Sequence, residues 1–296
     1  MHPYSIPFRH PLRTAHGTWS RRTGAIVTLT PPTGQPLQGE IAPLPSFGSE
    51  TLAQALAWVE SLQGTITTEQ ICAIPDPLPC CQFAFETALL PQLETSMPMA
   101  NGCPEFTIAA LLPAGPTALT HWQTPYQRGH RTFKWKIGCF PNELDLLGLL
   151  LAQLPRDTKL RLDANASLTL EQTLTWLDRL DRSPQIEYLE QPLNDLETLL
   201  AIAPQFSTPL ALDESIASLQ QLKEAYHQGW RGVFVIKPAI VGSPKKLIEF
   251  CAKFRPDTVF SSVFETPIGR YHGINLAHHC GSDRPLGYGT ADWLLE

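Results

Sequence analysis

The sequence predicts an α/β protein, a (β/α) barrel preceded by a separate α+β unit of about 100 residues. Three observations carry this. From Glu105 onward short apolar strands alternate with amphipathic helical stretches, whereas the first hundred residues follow a strand-rich rhythm. A charged residue also recurs where successive strands run out.

In the N-terminal unit, residues 1–100, the first 45 or so read as β-structure. Gly24-Ala25-Ile26-Val27-Thr28-Leu29-Thr30 is rich in β-branched residues and runs into Pro31-Pro32-Thr33-Gly34, a turn signal. Gly39-Glu40-Ile41-Ala42 follows as a strand, and residues 51–62 and 79–93 carry apolar positions at helical spacing. Residues 101–296 hold the barrel and a C-terminal return. Its strands are expected at 106–111, 132–136, 159–163, 186–190, 210–213, 232–237, 258–262 and, with the faintest pattern, 286–289. Helices are expected at 143–154, 168–180, 196–203, 219–227, 244–254 and 268–278. Eight parallel units close into a barrel, and about 190 residues make it a tight one.

Composition narrows the function. The 296 residues carry a net charge of −6, with 43% hydrophobic and 17% charged residues, an ordinary globular balance. An acidic chain is a poor nucleic-acid partner, because phosphate contacts need clustered Lys and Arg. Seven cysteines form no CxxC, and the start, MHPYSIPFRH, lacks the apolar run of a signal peptide. No apolar stretch approaches the roughly 18 residues of a membrane helix. The expectation is a cytoplasmic protein with free thiols, acting on a small molecule, away from membranes and with no need to oligomerise. There is no GxxxxGK[ST], no GxGxxG after a strand, no HExxH and no GxSxG.

The informative residues lie at strand ends. Phe133-Lys134-Trp135-Lys136 closes the second strand and Leu160-Arg161-Leu162-Asp163-Ala164-Asn165 the third. Glu187-Tyr188-Leu189-Glu190-Gln191-Pro192 closes the fourth, Ala211-Leu212-Asp213-Glu214-Ser215 the fifth, and Val235-Ile236-Lys237-Pro238 the sixth. Lys136 to Asp163 is 27 residues, Asp163 to Glu190 is 27, Glu190 to Asp213 is 23 and Asp213 to Lys237 is 24. One charge per strand–helix repeat converges on one mouth of a barrel, where sites of this fold lie. A lone Asp or Lys at a strand end is usually a solvated neighbour; five in matched phase are not.

Converging carboxylates repel one another unless a cation neutralises them. Oxygen ligands without Cys or His favour a hard ion, and carboxylates plus waters suit Mg²⁺. Lys136 and Lys237 then face each other across the centre. A free lysine titrates near about 10.4, and a neighbouring cation and second lysine pull it toward the range of a useful base. Lys134, two residues back, shares the face of Lys136 and adds to that effect. Arg161 and Asn165 share the parity of Asp163 and read as groups orienting its carboxylate or the substrate. Ser261 and Ser262 end the seventh strand and offer hydroxyls to a substrate carboxylate.

In these strings the chain resembles the enolase superfamily, whose barrels carry KxK, D, E, D and K in this order. Closer strings resemble the subgroup that forms 2-succinylbenzoate: Phe8-Arg9-His10-Pro11-Leu12, Leu189-Glu190-Gln191-Pro192, Leu212-Asp213-Glu214-Ser215 and Ser261-Ser262-Val263-Phe264-Glu265-Thr266. The resemblance implies an enolase-type barrel with an N-terminal α+β capping domain. It implies that Asp163, Glu190 and Asp213 hold Mg²⁺, that Lys136 is the base, and that Lys237 stabilises an enediolate as a cation. The implied reaction is dehydration of 2-succinyl-6-hydroxy-2,4-cyclohexadiene-1-carboxylate in menaquinone or phylloquinone biosynthesis. In such proteins a loop from the cap, here residues 9–21, closes over the mouth and brings Arg13 or His16 toward the substrate.

Rival readings keep the same residues. Racemisation of N-acylamino acids or epimerisation of dipeptides would use each lysine on one face. Dipeptide-binding relatives carry a DxD on the last strand, where this chain reads Leu286-Gly287-Tyr288-Gly289-Thr290-Ala291-Asp292. A non-catalytic metal-binding barrel would show a lost ligand or base, and none is lost. His272, His278 and His279 fall in a helix beyond the strand ends and read as packing or surface groups.

Overall fold

The computed structural model describes residues 1–14, 17–93, 107–290 and 293–295. The expected domain boundary at 100/101, like Phe106, lies outside them.

The N-terminal unit is a three-stranded antiparallel sheet with three helices. Strands β1 (His2–Thr14) and β2 (Gly17–Leu29) form a long hairpin, and β3 (Leu37–Ile41) pairs with the far side of β2. The hairpin corrects the expected loop at 9–21. Pairing slips between Pro7 and Leu12 but resumes, with Leu12 opposite Trp19 and Thr14 opposite Gly17. Polar residues there reflect a strand with a solvent-facing side. His16 and the side chain of Arg13 lie outside the described atoms.

Helix α1 (Leu52–Ser61) starts on a capping box formed by Thr51 and Gln54. The short α2 (Thr68–Cys72) was not expected, although Thr67 and Gln70 form the same box. Helix α3 (Pro79–Leu93) is buried nearly all round, which erases the amphipathic stripe. It packs against β3 so closely that a Cβ on Gly39 would stand 1.9 Å from the Ala84 carbonyl oxygen.

The rest is a parallel sheet of seven strands in the order of the chain. They are β4 (Ala110–Leu112), β5 (Thr132–Lys136), β6 (Lys159–Asp163), β7 (Ile186–Glu190), β8 (Leu210–Leu212), β9 (Val233–Ile236) and β10 (Thr258–Phe260). The faint eighth strand reduces to two parallel bridges, Leu286 to Ile108 and Gly287 to Ser261, which join the sheet's edges into a ring. Backbone bonds from Gly287 to Phe260 (2.7 Å) and from Ala109 to Leu286 (2.9 Å) complete it.

Helices cover the outside. The short α4 (Ala118–His121) and α5 (Gln123–Gln127) lie between β4 and β5, where no helix was expected, since Gly115-Pro116 and Pro125 hide so brief a pattern. They are followed by α6 (Glu143–Gln153), α7 (Leu170–Leu180), α8 (Leu196–Ile202), α9 (Leu219–His227), α10 (Pro238–Val241), α11 (Pro244–Phe254) and α12 (Pro267–His279). Strand residues of one parity, such as Phe133, Trp135, Leu160, Leu162, Leu189, Leu212 and Phe234, are buried in the main core shared with these helices. Residues of the other parity face the barrel interior.

Candidate active site

Three strands end on a charged residue, β5 to β7, and β8 and β9 are followed at once by one, Asp213 and Lys237; the two-residue repeat decides where each side chain points. Two positions behind Glu190, Asp213 and Lys237 lie Tyr188, Ala211 and Val235. With Val233 and Val259 these form a separate buried cluster, the filling of the barrel. The charged groups share that interior side, one layer nearer the mouth. Register sets Lys136 beside Asp163 and Asp163 beside Glu190.

Lys134 Nζ stands 2.8 Å from Asp163 Oδ2 and 2.8 Å from Glu190 Oε1. Lys237 Nζ contacts Asp213 Oδ1 and lies 4.4 Å from the ring centre of Phe47, contributed by the N-terminal unit. Lys136 is half-buried and, among the described residues, has no hydrogen-bond or ion-pair partner. Burial works against the charge of Lys134, but Asp163 and then Glu190 outweigh it and hold the ammonium well above its ordinary range. Burial takes Lys237 the other way, to about 7, against the pull of Glu190 and with the push of Lys134. Burial and then Asp163 raise Glu190, whereas Lys134 overcomes burial and lowers Asp163.

Among the described residues no three Asp, Glu, His or Cys groups gather closely enough to hold a metal ion. Two ammonium groups instead neutralise the carboxylates. The donor set nevertheless suits a hard cation, because every available ligand is a carboxylate oxygen. Glu190 Oε2 is buried and has no partner among the described residues, an unmet acceptor at the centre of the site.

The supporting residues distribute unevenly. Asn165 donates its backbone N–H to Asp163 Oδ1 (3.0 Å) and its side-chain amide to Glu214 Oε1 (3.1 Å). Asn165 thus meets the Asp163 carboxylate through its main chain. Ser261 Oγ donates to the Gly287 carbonyl at 3.3 Å, and Ser262 Oγ accepts the Phe264 N–H at 2.9 Å. Arg161 departs from expectation. It forks onto Glu187 at 2.7 and 2.9 Å, two residues down the barrel from Asp163, with its guanidinium 5.0 Å from the Tyr188 ring centre. Same parity placed it inside the barrel, but one layer below the mouth, where Glu187 competes for it. His272 is buried and bonds the Gln38 carbonyl at 2.7 Å, a packing role.

Two residues escaped the sequence reading. Gln191, fully buried, accepts the N–H of Asp213 (2.8 Å) and Ser215 (3.2 Å) and donates to Ser215 Oγ (2.6 Å) and Leu193 O (2.8 Å). It thereby fixes the loop that carries Asp213. Glu214 Oε2 is a second buried oxygen without a partner among the described residues, and burial with Asp163 lifts its carboxyl to about 7. Asn165, Ala166 and Gln191 have φ of 43°, 58° and 35°, left-handed conformations that non-glycine residues hold at a cost. Only the location next to strand-end charges could have singled them out.

A barrel capped by an α+β unit, with lysines and carboxylates ending successive strands, is the architecture of the enolase superfamily. Two family models match: "Enolase C-terminal domain-like" over residues 119–294 and "MenC, N-terminal domain" over residues 1–92. The chain is 40% identical to o-succinylbenzoate synthase of Thermosynechococcus vestitus, covering 98% of this chain and 91% of that one. It is 27% identical to the o-succinylbenzoate synthase of Pasteurella multocida over 99% and 88% of the two chains. The crystal structure of o-succinylbenzoate synthase from Thermosynechococcus elongatus BP-1, complexed with Mg in the active site, superimposes with a TM-score of 0.90 at 38% identity. That match covers 99% of this chain and 92% of that one. The chain belongs to the o-succinylbenzoate synthase family.

Proposed function

We propose that this protein dehydrates 2-succinyl-6-hydroxy-2,4-cyclohexadiene-1-carboxylate to 2-succinylbenzoate, as a Mg²⁺-dependent hydro-lyase of menaquinone or phylloquinone biosynthesis. The observation that carries the reading is the convergence of Lys134, Lys136, Asp163, Glu190, Asp213 and Lys237 on one barrel mouth, around an acceptor oxygen with no partner among the described residues.

Asp163, Glu190 and Asp213 would hold the ion. When bound, Mg²⁺ supplies positive charge to the substrate carboxylate and lowers the cost of the negative charge that builds there. Lys136, without a side-chain partner among the described residues, takes the proton from the carbon bearing that carboxylate. The electron pair left behind spreads into an enediolate, which the ammonium of Lys237 stabilises. The pair then returns to form the ring double bond as the C–O bond to the hydroxyl breaks. Lys136 gives its proton to the departing hydroxide, so water leaves, the lysine is restored and the ring is aromatic. Lys134, tied to two carboxylates and holding its proton firmly, acts through charge and not as a base.

No described helix is long and apolar enough to cross a membrane. The cysteines at 72, 80, 81, 139, 251 and 280 are free thiols, which supports a reducing, cytoplasmic setting.

The test is turnover of the hydroxy-cyclohexadiene carboxylate, followed as the rise of aromatic absorbance with Mg²⁺ and with EDTA. Rapid, EDTA-sensitive aromatisation is expected. Absence of turnover under both conditions overturns the assignment.

A further inference from the structure

Two barrel helices begin on carboxylates that cross over from the N-terminal unit. At the start of α11, Glu86 of α3 accepts Ser243 Oγ at 2.8 Å and the Lys245 N–H at 3.0 Å. At the start of α12, Glu40 of β3, fully buried, accepts the Thr266 N–H on both oxygens at 2.9 and 3.0 Å. Its Oε2 also accepts the Gly269 N–H at 2.9 Å and the Thr266 hydroxyl, and Tyr4 Oη bonds the other oxygen. Gly269 is what allows this: a Cβ there would meet Glu40 Oε2 at 2.8 Å. Such an anion satisfies several orphan donors of a helix start at once.

The two contacts differ in what they hold. Glu40 grips the end of residues 262–266, the loop that leaves β10 at the barrel mouth. Arg22, also from the N-terminal unit and buried, donates to the Phe264 carbonyl at 3.3 Å and to the carbonyls of Ala42 (2.6 Å) and Pro43 (2.7 Å). Phe264 has a left-handed φ of 62°, and its ring meets Phe8 and Trp293, each at 5.5 Å. A strained loop persists only where its surroundings over-determine it.

We propose that Glu40 is a positioning residue for substrate binding. Through Thr266 and Gly269 it fixes the 262–266 loop over the barrel mouth, so that the N-terminal unit shapes the site from a distance. The inference rests on the mouth being where the substrate binds. Glu86 holds α11 away from that loop and serves as the control.

Glu40→Gln keeps the size but turns an N–H toward donors that need an acceptor. The expected result is a KM for the hydroxy-cyclohexadiene carboxylate raised about tenfold, with kcat within about threefold, the signature of lost uniform binding. Amide hydrogen exchange across 262–269 should accelerate about tenfold, while the Kd for Mg²⁺ stays within about twofold. Glu86→Gln should speed exchange only around 243–247 and leave KM alone. If Glu40→Gln fails to fold, Gly269→Ala displaces the same carboxylate and is read the same way. Unchanged KM with unchanged exchange at 262–269 overturns the proposal, and so does an equal rise of KM in Glu86→Gln. If the wild-type protein does not turn over, the proposed reaction fails by itself. Exchange at 262–269 in the two variants then decides the role of Glu40.

Discussion

The barrel buries charge at both of its ends, and the two ends treat it differently. At the floor, Glu187 lies between Arg161 (2.7 Å) and Arg284 (2.8 Å), and Arg284 continues to Asp257 at 2.6 Å. Every charge there has an opposite partner in good geometry. At the mouth, three carboxylates and three lysines share fewer bonds, and Glu190 and Glu214 each keep a buried oxygen unpartnered among the described residues. Left-handed Asn165, Ala166 and Gln191 also stand beside the mouth charges. A satisfied network of buried ions holds a fold in register; an unsatisfied one is held ready for something that completes it.

The contrast breaks most sharply at Lys136. Its replacement by Ala should cut kcat about 10³-fold with no loss of folding, within the range of a lost general acid–base. Near-normal turnover would remove Lys136 from the mechanism. Next comes Lys237: Ala there should cost about 10²-fold in kcat, and Arg should recover a large part because it restores the charge. If Arg is as inactive as Ala, the lysine works as a base and the balance moves toward racemase-like chemistry.

At the floor the effect should fall on stability. Glu187→Gln leaves Arg161 and Arg284 short of a counter-charge in a buried site and should cost about 3 kcal/mol in urea unfolding. Its kcat/KM should stay within about threefold. A large loss of activity with unchanged stability would mean that the floor takes part in catalysis. The smallest effect is on pH. Burial opposes the charge of Glu187, but Arg161 and Arg284 prevail and hold its carboxyl below its ordinary value of 4.5. The folded chain then binds fewer protons than the unfolded one. Its stabilisation is complete above about 4.5 and is lost as pH falls through the lower folded value. The stability gap between wild type and Glu187→Gln should therefore narrow on acidification from pH 6 to pH 3. A constant gap would contradict the assignment.

The same contrast explains what the sequence could tell. Strands β5, β6 and β7 stand where alternation placed them because each is an apolar run ended by a charge, a local signal. The six longer helices of the barrel were legible from their spacing, whereas α2, α4 and α5 are too short for a period to emerge. Arg161 had the right parity but the wrong layer, since parity gives the side of a strand and not the depth. The β1–β2 hairpin looked like a loop because a polar strand and a polar loop share a composition. Gln191, Glu214 and Glu40 were invisible for another reason. Their roles lie in partners far along the chain, as with Glu40 and Thr266, 226 residues apart.

The division between mouth and floor is tested most directly by calorimetric titration of Mg²⁺ into three forms of the protein: wild type, Glu190→Gln and Glu187→Gln. Glu190→Gln should weaken binding at least about tenfold, while Glu187→Gln, at a temperature where it is folded, should bind as the wild type does. Unchanged affinity in Glu190→Gln, or an equal loss in Glu187→Gln, would contradict it.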